Sequence, residues 1–329
     1  MKISTMRLQK NGWSFMGRSS MMQKQKVIKK QKTKSLLKEI VRHRNNYLFM
    51  APFLIVFFTF TILPVVMSMG LSFTYFNVLE APQWVGLRNY FKLFLNDPLF
   101  LKALSNTVVL AVITGPVGYL LSLFMAWVLN EFSPLVRAIL TIVFYTPSLC
   151  GGTFVIWSLI YSGDQYGLLN GFLMSIDAIY SPIQWLSDAN YMMPAAIIVI
   201  LWTSFGTGFL SFIAGIQGVD KTMYEAGALD GVRNRWQELW YITLPSMKPQ
   251  LMFGAVMSIT AAFGVGDLIS GLFGFPSVGY VLYTLVHELQ DYGNTRFDMG
   301  YASAIATVLF LIMVLLNRVI QKLLAKVGE

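Results

Sequence analysis

"YEAGALDGVRNRWQELWYITLP", residues 224–245, is the longest polar interruption in the apolar part of this chain. Its pattern is that of a folded element. Asp220, just ahead of it, is placed to cap a short helix over 221–230, its carboxylate accepting backbone N–H groups. Gly231 stands where a helix end wants a left-handed residue. Asn234, with Gln237 three residues later, makes a capping-box-like pair for a second helix. On that helix Trp236, Leu239, Trp240 and Thr243 recur at helical spacing along one side, and Pro245 leads into the next apolar run. The stretch reads as helix, glycine turn, helix.

The surroundings of this hairpin set its context. The chain has 329 residues, 55% hydrophobic and only 12% charged, where a soluble domain carries about 25% charged residues. Charge this sparse points to a surface in contact with lipid. The formal charge of +9 is concentrated at one end: residues 1–46 hold thirteen Lys/Arg against the single acid Glu39. A basic arm ahead of an apolar run is the mark of a cytoplasmic membrane flank, so no nucleic acid is expected as a partner. The arm is too long and Lys-rich for a secretory signal, and the apolar run behind it is expected to stay in the mature protein. With one cysteine, Cys150, and two distant histidines, His43 and His287, neither a disulfide framework nor a His/Cys metal site is expected.

A bilayer core about 30 Å thick needs roughly 20 apolar helical residues. Six runs qualify, at about 47–73, 107–129, 138–161, 192–216, 251–272 and 299–319. The expected fold is therefore an all-α polytopic membrane protein of six transmembrane helices. Pro64, Gly115-Pro116, Pro147, Gly206 and Gly208 interrupt these runs, and such breakers are tolerated where neighbouring helices or a cavity satisfy the freed backbone. Six spans put both termini on one side. Both ends are basic, the second through Arg318, Lys322 and Lys326, so both are expected in the cytoplasm. The acidic segments 163–190 and 273–298 then fall outside, and only 76–103, with mixed charge, departs from the pattern. The hairpin, within the 34-residue segment 217–250, lies on the cytoplasmic side. Connections between packed helices usually run 2–8 residues, so this one is expected to be functional.

The first helix of the hairpin sets Ala226, Gly227 and Ala228 beside Glu225. Small residues admit another backbone closely, and the carboxylate offers a contact for a cation. Packing against the chain's own bundle and docking to a partner are both open on these residues alone. Glu225-Ala226-Gly227, then Gly231, then Ile242, Leu244 and Pro245 resemble the EAA loop of binding-protein-dependent ABC importers. Gly227 replaces an Ala of that pattern, and ten residues rather than nine separate Gly231 from Ile242. The segment 225–250 and "WVGLRNYFKLFLNDPLFLKALSNT" (84–107) are both similar to the sugar-uptake branch, with maltose-type and glycerol-phosphate-type permeases as relatives. The resemblance covers nearly all of the membrane region and leaves the arm outside it.

The resemblance implies a transmembrane domain like that of type I ABC importers. It divides the chain into the basic arm 1–46 and a permease domain 47–329 with the coupling loop 217–250. It also implies partners: a second permease chain, two ATPase subunits, an extracellular solute-binding protein, a sugar, and the bilayer of a bacterial cell membrane. No phosphate-cradling GxxxxGK[ST] loop occurs in the chain. It is expected to be a transport subunit rather than an enzyme, with no cofactor of its own and with ATP and Mg on the ATPase subunits. Glu225, Ala226, Gly227, Asp230, Gly231 and Pro245 are the coupling candidates.

A carbohydrate path wants an aromatic face and hydroxyl, amide or carboxylate partners. The third to fifth spans offer Tyr145, Ser148, Trp157, Trp202, Ser204, Thr207 and Ser258, although Ser and Thr in membranes also serve as packing and interhelix hydrogen-bonding residues. Asp267 is an acid near the outer end of a span, where it is expected to face a mouth or to bridge helices. A secondary transporter working alone fits six spans, but it gives no reason for the hairpin and would want more intramembrane charge. A membrane enzyme lacks a nucleophile–base pair.

Overall fold

The computed structural model describes residues 43–325. Most of the arm 1–46 and the final positions, Lys326 and Glu329 among them, lie outside the described residues. The described residues divide into two units between Met67 and Ser68. The first apolar run is helical over Asn45–Leu71. It comprises α1 (Arg44–Phe57), a wider π turn over Phe58–Ile62, and α2 (Leu63–Leu71), which reaches across the division.

In the second unit a two-residue ribbon, β1 (Thr74–Tyr75) antiparallel to β2 (Gln83–Trp84), pairs Thr74 with Trp84. The short α3 (Arg88–Phe91) follows. The longest element is α4, Pro98–Asn130, 33 residues or about 50 Å at 1.5 Å per residue. It begins nine residues before the apolar window at 107 because Asp97 caps it: its carboxylate accepts from Leu99 and Phe100 N–H, each at 3.1 Å, and Pro98 takes the first helical position.

Among the described residues four helices are long and apolar enough to cross a membrane, and six if each of two bent pairs is one span. The run at 138–161 is one such pair. α5 (Pro134–Leu149) and α6 (Thr153–Ile160) meet at 92° across Cys150-Gly151-Gly152. Hydropathy is continuous through Pro147 and the two glycines, whereas the backbone direction is not, so this run counts toward the six expected spans only as a bent pair. After α7 (Leu168–Ser175), the fourth run is α8 (Ala189–Trp202) and α9 (Thr207–Gln217), bent by 41° at Thr203–Gly206.

The hairpin comes next. Helix α13 (Lys248–Phe263) and α14 (Gly266–Phe273) together form the fifth apolar run, long enough to cross a membrane. The short α15 (Leu285–Gln290) leads through a π turn at Asp291–Thr295 into the final helix (Met299–Leu324).

The interior is a set of apolar clusters strung along α4 rather than one core. Leu110 packs with Met192, Val199, Ile269 and Leu282, while Ala126 and Leu129 pack with Phe209, Phe212, Leu239 and Leu251. Near the start of α4, Phe100 and Ala103 join Leu285, Tyr301 and Ile305. Many large apolar side chains elsewhere are exposed, among them Ile139, Ile142 and Val143 on α5. A monomeric soluble protein does not leave so much apolar surface uncovered; lipid is its natural cover.

Candidate functional site

The hairpin is built as its caps dictate. Its first helix, α10 (Lys221–Leu229), is capped by Asp220, which accepts from Thr222 N–H at 3.0 Å. That hydrogen bond holds the Asp220 carboxyl below its ordinary range. Gly231 adopts φ +97°, a left-handed conformation that strains any residue with a Cβ. Asn234 accepts from Gln237 N–H at 2.9 Å and opens α11 (Arg235–Glu238). Gln237 Oε1 reaches back to Arg233 N–H at 2.8 Å, one residue ahead of the cap.

A π turn over Leu239–Thr243 joins α11 to α12 (Leu244–Ser246), with Pro245 half-buried in its first turn. The wider turn splits the side on which a regular helix would gather Trp236, Leu239, Trp240 and Thr243. Leu239, Ile242, Thr243 and Leu244 are buried, and Trp236, Trp240 and Tyr241 are exposed.

The two arms of the hairpin are pinned together. The Tyr224 hydroxyl lies 2.9 Å from Thr243 Oγ1, and Thr243 donates to Glu238 O at 3.2 Å, so Tyr224 is the donor in the first bond. Gly227 lies over Ile242: a Cβ at 227 would fall 2.6 Å from Ile242 Cδ1. The opposite face of α10 is open. Glu225, Ala226 and Asp230 are exposed, Leu229 is 91% exposed, and no described residue pairs with the Glu225 carboxylate. Behind the hairpin lies a cavity of about 360 Å³ bounded by Glu131, Arg137, Lys221 and Tyr224.

A second cavity, about 350 Å³, lies between α5, α9, α13 and the α8–α9 bend. It gathers Tyr145, Ser148, Ser204, Thr207 and Ser258 in one wall system. A smaller pocket shares Ser204 and Ser258 and adds Thr114 and Gly118 of α4. Ser148 donates to Tyr145 O at 2.8 Å and Ser204 to Leu201 O at 2.6 Å, so both spend their protons on their own helices and present lone pairs to the cavity. Tyr145 is the aromatic side chain on its lining.

Trp157 and Trp202 are placed elsewhere. They pack edge to face at 5.6 Å, with Trp157 also against Tyr161 and the α4 cluster. Asp267 is exposed near the start of α14, where Gln290 Nε2 donates to its Oδ1 at 3.4 Å. It bridges toward α15 and does not line the cavity. Thr114, Thr203 and Thr260 line the cavities without having been singled out in the sequence. Thr203 sits next to Ser204 at a bend, and that bend was the available signal.

The end of the second unit away from the hairpin holds a buried polar knot. Asp97 Oδ2 accepts from the Tyr301 hydroxyl at 2.7 Å and from Tyr292 at 3.4 Å. Glu288 is 1% exposed, and its Oε2 has no partner. Burial, reinforced by the nearby Asp97 charge, pushes the Glu288 carboxyl up to about 7. Burial likewise raises Tyr292 to about 12. His287 Nδ1 accepts from Thr284 N–H at 3.0 Å, which leaves Nε2 to donate to Gly266 O at 3.1 Å; burial holds this imidazole below its ordinary range.

A bundle of apolar helices around a hydroxyl-lined cavity, with a capped helical hairpin between two spans, defines a membrane permease subunit. The chain belongs to the family described as binding-protein-dependent transport system inner membrane component, whose model matches residues 118–327. It is 33% identical over 283 residues to the probable ABC transporter permease protein YesP of Bacillus subtilis, covering 84% of this chain and 89% of YesP.

Other similar proteins include the arabinooligosaccharides transport system permease AraP of B. subtilis, 31% identical over 84% of this chain and 87% of AraP. The lactose transport system permease LacF of Rhizobium radiobacter is 29% identical over 83% of this chain and 91% of LacF. The fold is that of type I ABC importer permeases. A chain of a bacterial importer of the acidic polysaccharide alginate superposes with TM-score 0.68 at 23% identity, over 86% of this chain and 97% of that one.

Proposed function

We propose that this chain is one of two permease subunits enclosing the sugar path of an ATP-driven importer, supplied by an extracellular solute-binding protein. Two ATPase subunits hold the ATP and Mg and move the path through the hairpin at 220–245. The observation that carries the reading is the open face of α10: an unpaired, exposed Glu225 beside small side chains, on a helix fixed from behind by Gly227 on Ile242 and Tyr224 on Thr243. A face held rigid and left uncovered fits a rigid partner.

The rest of the assignment follows from the same reading. Residues 47–329 are the permease domain and 1–46 a basic arm on the cytoplasmic side, with six spans in the cell membrane and both termini inside. Relatives that carry arabino-oligosaccharides and lactose favour an oligosaccharide. The 350 Å³ cavity offers Tyr145 as a stacking face and the hydroxyls of Ser148, Ser204, Thr207 and Ser258 as partners.

Affinity purification of this chain from its native membranes tests the assembly. An ATPase and a second permease are expected in stoichiometric amounts. A chain that purifies alone and takes up sugar on a proton or sodium gradient would overturn the proposal. A panel of arabino-oligosaccharides, lactose and uronic-acid oligomers on the solute-binding protein then identifies the substrate.

A further inference from the structure

The hairpin is joined to the bundle by chain continuity at α9 and α13. A second connection is made by side chains alone, and it leads to a different helix. Trp236 packs against Trp127 of α4 with ring centroids 4.8 Å apart and the planes tilted by 43°. Its neighbour Arg235 pairs with Glu131, the residue that ends α4, at 3.0 Å, and with Glu238 of its own helix, also at 3.0 Å. Beside the buried cluster that Leu239 shares with Ala126 and Leu129, these two contacts form an exposed strut between the hairpin and the tip of the longest described helix.

What α4 touches further along gives the strut its meaning. Gly118 lies nine residues before Trp127, about 14 Å along the helix. A Cβ there would fall 2.9 Å from Ser204 Cβ, and Ser122 donates to Ser204 O at 3.2 Å. Ser204 lies in the 41° bend between α8 and α9 and lines both cavities. So α4 is a stiff rod gripped at one end by the hairpin and pressed at its middle against the residue that shapes the cavity wall. Because backbone meets side chain at Gly118 with no slack, a displacement of α4 must move Ser204 or break the contact.

We infer that Trp127, Glu131, Arg235 and Trp236 are positioning residues for transport: through α4 they carry movement of the hairpin to the Ser204 wall of the cavity. The inference rests on the reading of 220–245 as the coupling hairpin. Exposure suits the role. The Arg235 and Glu131 side chains are 64% and 44% exposed, so the strut adds little to folding and breaking it leaves the bundle intact. The test reads coupling directly.

The native Cys150 is the reporter. It is the chain's one cysteine, exposed at the α5–α6 break and next to the cavity residues Ser148 and Leu149. The complete complex in lipid nanodiscs is treated with N-ethylmaleimide, with and without ATP plus vanadate, and modification of this chain is followed by mass spectrometry. In the wild type, nucleotide is expected to change the rate about threefold or more. Glu131→Arg or Arg235→Glu alone is expected to reduce that response below about 1.5-fold, with ATP hydrolysis continuing. The double reversal is expected to restore it, because the guanidinium at 131 then faces carboxylates at 235 and 238. Trp127→Phe is expected to keep the response and Trp127→Ala to lose it.

A full response in either single reversal, a double reversal that fails to recover it, or a wild-type complex whose Cys150 ignores nucleotide would each overturn the inference while leaving the importer reading in place. A wild-type chain that binds no ATPase would instead remove the importer reading, and the inference with it.

Discussion

The two ends of α4 are built on opposite principles. At its start, Asp97 is buried and surrounded by donors: two backbone N–H groups and the Tyr301 and Tyr292 hydroxyls. At its finish, Glu131 is exposed and held by a single arginine that it shares with Glu238. Buried charges bound by several hydrogen bonds cost several kcal/mol to disturb, whereas an exposed ion pair contributes about 0–1 kcal/mol. One end anchors the helix in the bundle. At the other, beyond the buried packing of Ala126 and Leu129 with Leu239 and Leu251, the tip residue itself is held by an exposed ion pair.

That contrast is open to attack from the anchored end first. Asp97→Ala removes a helix cap and strands two tyrosine hydroxyls. It is expected to destabilise the chain by about 3 kcal/mol, read as a lowered melting temperature in detergent. A loss under about 1 kcal/mol would mean that the anchor is no stronger than the strut.

The same knot predicts a pH dependence. The folded Glu288 carboxyl stands at about 7 against an ordinary 4.5, so between those values the folded state holds a proton that the unfolded state has released. Stability from this group therefore falls as pH rises from about 4.5 to 7 and stays low above it, by on the order of 3 kcal/mol in full. Melting temperature against pH should show that decline in the wild type and lose it in Glu288→Gln, which keeps the neutral form at every pH. An unchanged slope in the variant would assign the decline to another group.

Smaller effects belong to the hairpin end. Gly227→Val drives a branched side chain onto Ile242 and is expected to cost about 1–3 kcal/mol. Gly227→Ala clashes only with the flexible tip of Ile242 and makes an ordinary contact with Val232, so it should cost less than the valine. Glu131→Ala should change stability least of all, by about 0–1 kcal/mol. A large loss there would make Glu131 a structural residue and collapse the difference between the two ends.

What the sequence made legible divides along the same line. The hairpin is local: Asp220, Gly231, Asn234 and Gln237 act within a few residues of themselves, so their pattern could be read directly. The π turn at Leu239–Thr243 escaped, because a regular helical period assigns Trp240 to the same side as Leu239 and the wider turn separates them. Of the residues singled out for the cavity, five sit together on its wall, because hydroxyls at mid-span positions have few other places to face. Trp157 and Trp202 are packed against each other instead, and the sequence offered no means of telling a stacking platform from a core aromatic. The Asp97 knot was out of reach, since Tyr292 lies 195 residues away along the chain. The break at Cys150–Gly152 was hidden by unbroken hydropathy.

The central claim is that the hairpin at 220–245 conveys the work of a separate ATPase to this membrane path. Its most direct test is uptake of radiolabelled arabino-oligosaccharide, or of whichever sugar the binding-protein panel selects, into vesicles bearing the complete complex with the wild-type chain or Glu225→Lys. Wild-type uptake is expected to require ATP hydrolysis. The variant is expected to insert normally and to transport at less than about a hundredth of the wild-type rate, since its docking contact becomes a repulsion worth several kcal/mol. Uptake at the wild-type rate by Glu225→Lys, or uptake that persists without ATP, would contradict the account.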